Sequence, residues 1–202
     1  MRLDDFIGIR IIEAGTMNNQ QEQTLLRVAC GAIEAAISGK EAPAVTSDDP
    51  DLNVRQGCFV TIKNSGRLRG CIGNFTSDKP LIEMVSEMAV SSATRDPRFL
   101  TEPITANEFE PLEVEISVLS PMELTDNPAS LRLGIDGIYI VNGARSGCFL
   151  PQVATETGWT EKQFLTHCCV EKAGLDADAW EEPDTKVYLF TANAFSSPFI
   201  QN

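Results

Sequence analysis

The chain has 202 residues, 43 % of them hydrophobic, enough for one domain, or for a larger domain with a small appended lobe. Its formal net charge of −13 repels a phosphate backbone at long range, which argues against general nucleic-acid affinity. No run of 18 apolar residues occurs, and the start Met1-Arg2-Leu3-Asp4-Asp5-Phe6 has acids where a signal peptide needs cations, so a cytoplasmic protein without a membrane span is expected.

Residues 1–16 fit poorly with the rest of the chain. Met17 opens a new segment, so 1–16 read as an N-terminal appendage, with Met17 as an alternative start, and 17–199 as a single domain. A helix is predicted from about Gln20 to Ser38, because Leu25, Leu26, Ala29, Ala32, Ile33, Ala36 and Ile37 form one apolar stripe and Gly39 can cap its end. Residues 40–56, rich in Pro, Asp, Ser and Thr, read as a loop. Two strands come next, Gly57–Lys63 and Arg67–Gly73, joined by a three-residue loop Asn64-Ser65-Gly66. A second helix is predicted over 80–94, with Ser77 or Asp78 as its cap, Pro80 in its first turn and Leu81, Met84, Val85, Met88, Ala89 and Ala93 facing inward. Pro97 disfavours helix at Asp96.

Leu112–Leu119 alternates cleanly and reads as a strand with one wet face. Ile138–Val141 and Cys148–Leu150 form a further pair of strands around the turn 142–147. Gln152–Thr157 reads as a short helix ending at Gly158. Thr160 and Gln163 make a capping box for a helix over 161–173, closed by Gly174, and Lys186–Thr191 is the last strand. Helices and strands mix without a regular βαβ rhythm, which predicts an α+β fold with a mostly antiparallel sheet and packed helices.

The chemistry-bearing stretch is Leu68-Arg69-Gly70-Cys71-Ile72-Gly73. Simple alternation places Arg67, Arg69 and Cys71 on one face, and two guanidinium groups beside a thiol would favour the thiolate. Gly70 and Gly73 leave room for something to approach the backbone. Residues 55–100 carry seven Arg or Lys against four acids, a local net of +3 on an acidic body. Such a patch selects a small anion or an acidic partner, or is a chance cluster on a solvated face. Cys71 is the candidate nucleophile, but such a thiol usually needs a base, and the single histidine, His167, serves only if the fold brings it within reach. Equally, Cys71 is a small residue packed between glycines, or a bystander to Arg69 as the binding group. Arg95, Asp96 and Arg98 form a second candidate cluster, although Arg95 also complements a helix C-terminus and Asp96 before Pro97 can simply organise a turn. Gln152 can face a ligand or cap the helix it begins.

The six cysteines (30, 58, 71, 148, 168 and 169) include an adjacent pair and lie mostly inside predicted elements, which suits reduced thiols better than a disulfide framework. Cys168 and Cys169 diverge in direction on a helix, and His167 with Glu171 supplies only two ligands, so no metal site is expected. No glycine-rich nucleotide loop is present, no cofactor is called for, and no basic, aromatic-interleaved strand suggests an RNA platform.

Leu68–Gly73, then Asp96-Pro97-Arg98-Phe99, then Glu113–Leu119, then Phe149-Leu150-Pro151-Gln152-Val153 resemble the AMMECR domain in order and spacing, from about Gln20 to Phe195. The resemblance implies a two-lobed α+β fold rather than a defined activity. It also implies, in many microbes, one component of a three-part system, beside a relative of extradiol dioxygenases and a radical S-adenosylmethionine protein. Two functions stay open. One is a binding or adaptor component presenting Arg67, Arg69, Gly70, Gly73, Arg95, Asp96, Arg98 and Gln152 to a protein partner or small anionic ligand. The other is an enzyme, or enzyme component, using Cys71 as nucleophile or acceptor thiol.

Overall fold

The computed structural model describes residues 17–201, so the reading of 1–16 as an appendage lies outside the described residues. The described chain is α+β and divides into two compact units, a larger one (up to Leu119, with Asn193 onward) and a smaller one (Ser120–Ala192). Every strand pair described is antiparallel. None of the helices described is long and apolar enough to cross a membrane.

In the larger unit α1 spans Asn19–Ile37. Its start is set by a capping box in which Asn18 accepts from the Gln21 N–H and Gln21 accepts from the Asn18 N–H. Leu25, Leu26, Ala29, Cys30, Ala32 and Ile33 recur at helical spacing and are buried, whereas Ala36 and Ile37 at its end are only half-buried. The hairpin is β1 (Cys58–Asn64) and β2 (Arg67–Asn74), and β3 (Leu112–Leu119) lies on the other side of β1. Its loop has two residues, not three. Asn64 pairs with Arg67, and Ser65 and Gly66 both have positive φ (51° and 80°), the backbone of a type I′ turn whose twist matches that of the strands.

The second helix, α2 (Leu81–Thr94), packs on α1 and on the hairpin. It starts without a side-chain cap, because Ser77 is engaged with Lys79 rather than with the helix. The Leu81 N–H instead donates to Val54 O at 2.8 Å. Val60, Ile62, Val114 and Ile116 on the sheet and Leu81, Val85 and Ala89 on α2 form one continuous core with the buried face of α1.

The smaller unit holds the two-residue β4 (Glu123–Leu124), β5 (Asp136–Asn142), β6 (Arg145–Phe149), α3 (Pro151–Thr157), α4 (Glu161–His167) and most of β7 (Lys186–Pro198). β5 pairs with β6 and β7. The capping box of Thr160 and Gln163 opens α4, and Gly174 (φ 64°) closes the segment after it. The sequence predicts one α-helix over 161–173, but Cys168–Ala173 winds as a π-helix. Phe164, Leu165, Cys168 and Cys169 are buried there, with Ile138 and Ile140 of β5. β7 runs seven residues past its predicted end, to Pro198, its last residues belonging to the larger unit, where the Phe199 N–H donates to Leu112 O of β3 at 2.8 Å.

Candidate functional site

The Leu68–Gly73 stretch forms most of β2, the edge strand of its sheet. Its pairing with β1 slips by one residue: Ile62 faces Gly70 and Lys63 faces Leu68, which leaves Arg69 as the extra residue of a bulge. The alternation expected for Arg67, Arg69 and Cys71 therefore breaks, and the two arginines enter different surroundings. Arg67 is exposed and reaches Glu102 at 3.3 Å. The Arg69 head is buried, with Nη1 3.2 Å from Glu108 Oε2 and Nη2 donating to Glu102 O at 2.9 Å. Lys63 pairs with Glu115 at 3.3 Å. The acids at 102, 108 and 115 lie just beyond the window whose charge is net positive, and they offset the basic patch expected from it.

The two glycines answer to packing. A Cβ on Gly70 would lie 2.0 Å from the Ser92 carbonyl oxygen of α2. One on Gly73 would lie 2.4 Å from Cys58 O. Ser92 uses the closeness: its hydroxyl donates to Val60 O at 2.7 Å and accepts from the Ile72 N–H at 2.9 Å. Serine is a weak helix former whose hydroxyl competes for backbone groups, so a serine inside an otherwise apolar helical stripe was the available sign of this role.

Cys71 and the Asp96 cluster meet. The Asp96 carboxylate is buried and accepts four hydrogen bonds: from the Cys71 N–H (2.9 Å), the Arg98 N–H (3.1 Å), Arg98 Nε (2.9 Å) and Arg98 Nη2 (2.6 Å). Arg98 Nη2 also donates to Cys71 O at 3.2 Å. The carboxylate and guanidinium thus satisfy both backbone groups of Cys71 on an edge strand, where a partner strand would otherwise pair. Hydrogen bonding from Arg98, against the opposing effect of burial, holds the Asp96 carboxyl below its ordinary range.

The Cys71 thiol is shifted the other way. Burial raises its pKa above the ordinary thiol value; the hydrogen bond from Thr61 Oγ1 (3.1 Å) and the charge of Arg98 lower it, while Asp96 and Glu115 raise it. The sequence-based expectation of a thiolate stabilised by Arg67 and Arg69 does not hold, because burial outweighs charge and the cation beside the thiol is Arg98. The sulfur is a protonated, half-buried group at neutral pH.

The remaining candidates make other contacts. Arg95 is the exposed C-cap residue of α2 and borders a shallow groove of about 530 Å³ with Lys79, Glu83 and Glu87. Gln152 belongs to the smaller unit, at the second position of α3, where its backbone carbonyl accepts from Thr155 Oγ1 at 2.7 Å. His167 is also in that unit: Nδ1 lies 2.6 Å from a Glu171 carboxylate oxygen, and its ring stacks on Trp159 with centroids 4.0 Å apart. Cys58 and Cys168 are deeply buried, and burial pushes the Cys58 thiol up to about 12.

Beside Asp96 lies a pocket of about 220 Å³ that the sequence did not indicate. Its walls mix apolar side chains, Ala36 and Ile37 of α1, Ala93 of α2 and Phe99, Leu100 and Ile104 of the loop after α2, with the polar side chains of Ser92, Thr94 and Asp96. Leu100 is largely exposed at 59 %, and the Arg98 guanidinium lies 5.5 Å from the centre of the Phe99 ring.

The AMMECR1 family model matches residues 26–195. A protein of Methanothermobacter thermautotrophicus is 41 % identical over 186 residues, covering 89 % of this chain and 95 % of its own. Protein PH0010 of Pyrococcus horikoshii is likewise 41 % identical over 186 residues, 87 % of this chain and 89 % of its own. The crystal structure of that uncharacterized protein superposes with a TM-score of 0.82 at 38 % identity, covering 91 % of this chain and 94 % of the other. A family model spanning most of the chain, relatives near two-fifths identity over nearly their whole length and the shared α+β fold agree: the chain belongs to the AMMECR1 family.

Proposed function

We propose that this protein is a binding component, presenting an anion-recognition face centred on Arg98 beside the Leu68–Gly73 strand. The observation that carries this reading is how Arg98 is held. A guanidinium has five N–H donors. Nε and Nη2 are committed to Asp96 and Cys71 O, which fixes the plane of the group. The side chain is nevertheless 51 % exposed, and the two Nη1 donors are turned to no acceptor among the described residues. A guanidinium locked in place loses little freedom on meeting a carboxylate or phosphate, and it offers that anion a charge-assisted hydrogen bond. Arg67 and Arg69, the cations favoured from the sequence, are engaged with acids and serve the fold. The alternative, Cys71 as a nucleophile, is disfavoured by a raised thiol pKa and by a sulfur whose hydrogen-bond partner is a threonine hydroxyl rather than a base.

The test is an NMR titration of ¹⁵N-labelled protein with sodium acetate and with inorganic phosphate at constant ionic strength. Saturable shifts at the Cys71 amide and the Arg98 Nε–H are expected, lost in Arg98→Lys, which keeps the charge but not the fork. Shifts that never saturate, or that persist in Arg98→Lys, would overturn the reading.

A further inference from the structure

We infer that the pocket beside Arg98 binds the compact apolar tail of a small carboxylate whose anionic end pairs with the Arg98 guanidinium. The inference rests on the Arg98 reading and adds a ligand class to it. Three observations carry it. The first is position. Asp96 lines the pocket and accepts two hydrogen bonds from the Arg98 guanidinium, and Phe99 lines it while lying under that group. The cavity and the cation therefore lie on two sides of the same two residues.

The second is size. An apolar cavity of about 150 Å³ accepts benzene, and pockets for drug-sized ligands begin near about 300 Å³. The 220 Å³ here falls between them, room for an isobutyl or phenyl group and little more. The third is the chemistry of the walls. Ala36, Ile37, Ala93, Phe99, Leu100 and Ile104 offer methyl and ring surfaces. The three polar side chains at the pocket already have protein partners: the Ser92 hydroxyl bridges Val60 O and the Ile72 N–H, the Thr94 hydroxyl donates to Val90 O at 2.8 Å, and the Asp96 carboxylate takes four donors. An apolar tail packed on these methyl and ring surfaces is rewarded by leaving water. The Asp96 charge is offset by the Arg98 guanidinium 2.6 Å away, which limits its repulsion of the incoming acid.

The experiment compares three probes on the ¹⁵N-labelled protein: 4-methylpentanoate, acetate, which keeps the charge and lacks the tail, and 4-methylpentanamide, which keeps the tail and lacks the charge. Dissociation constants are read from amide shifts at Cys71 and Ala93. The acid is expected to bind at least about tenfold more tightly than either control, in line with burying an isobutyl group. Ala93→Leu, which fills the cavity from a helical position, is expected to abolish the advantage of the acid over acetate. Equal affinity for the acid and acetate overturns the pocket inference but leaves the Arg98 reading standing. Loss of saturable binding for both overturns the two together. The comparison of probes on the unaltered protein needs no variant to fold.

Discussion

Gly70→Ala tests how β2 is seated. The new Cβ would fall 2.0 Å from Ser92 O and 2.9 Å from Ser92 C, both backbone atoms of α2 that cannot rotate aside. To reach even the closest Cβ contact seen in proteins, about 3.0 Å, the helix must retreat by about 1 Å. That retreat carries the Ser92 hydroxyl out of range of Val60 O and the Ile72 N–H, now at 2.7 and 2.9 Å. Overpacking costs about 1–3 kcal/mol and each lost hydrogen bond about 1 kcal/mol, while the stiffer unfolded chain returns roughly 0.5–1 kcal/mol. The net destabilisation is about 3 kcal/mol, or about 6–12 °C in Tm for a chain of this size. Urea denaturation followed by circular dichroism measures it. Ser92→Ala alone should cost about 2 kcal/mol. Because Gly70→Ala has already broken the serine's bonds, and because the clash is with a carbonyl that alanine also has, the double variant should cost scarcely more than Gly70→Ala. A Gly70→Ala protein within about 1 kcal/mol of the unaltered one would refute the close approach of α2 to β2.

Asp96→Asn replaces a buried anion, with four donors around it, by a neutral amide, and is expected to destabilise by about 3 kcal/mol at pH 7. The folded-state pKa of Asp96 is depressed, so its contribution is complete above the unfolded carboxylate value and is lost as pH falls through the folded one. Urea midpoints of the two proteins should therefore converge on acidification below pH 4; a constant gap would contradict the assignment. Arg69→Ala strips Glu108 of its cation and Glu102 O of its donor, leaving Glu108 to Asn64 Nδ2 and the Thr105 N–H. A loss of about 2 kcal/mol is expected, partly relieved when Glu108→Gln is added; additive losses in that cycle would show that the pair is not coupled.

Much of this molecule was legible in its sequence, because the signals concerned are local. The stripe from Leu25 to Ile33 and the capping box of Thr160 and Gln163 act over three or four residues and carry their own physics. The α+β class, the antiparallel hairpin and the family itself emerged from those pieces in order. What tertiary structure alone decided is where charge and space reside. A bulge at Arg69 cannot be read from alternation, since it depends on pairing with β1. Glu102 and Glu108 from the segment before β3, and Glu115 on β3, occupy the cations that composition left conspicuous. Arg98, one of several candidate arginines in the sequence, becomes the held and half-exposed one because Asp96 and the edge of β2 grip it from two sides. Ser92 and the pocket exist only where α1, α2 and the loop after α2 converge. Sequence determines which groups are available along the chain. Burial and long-range pairing determine which of them remain charged, which stay protonated and which face a ligand.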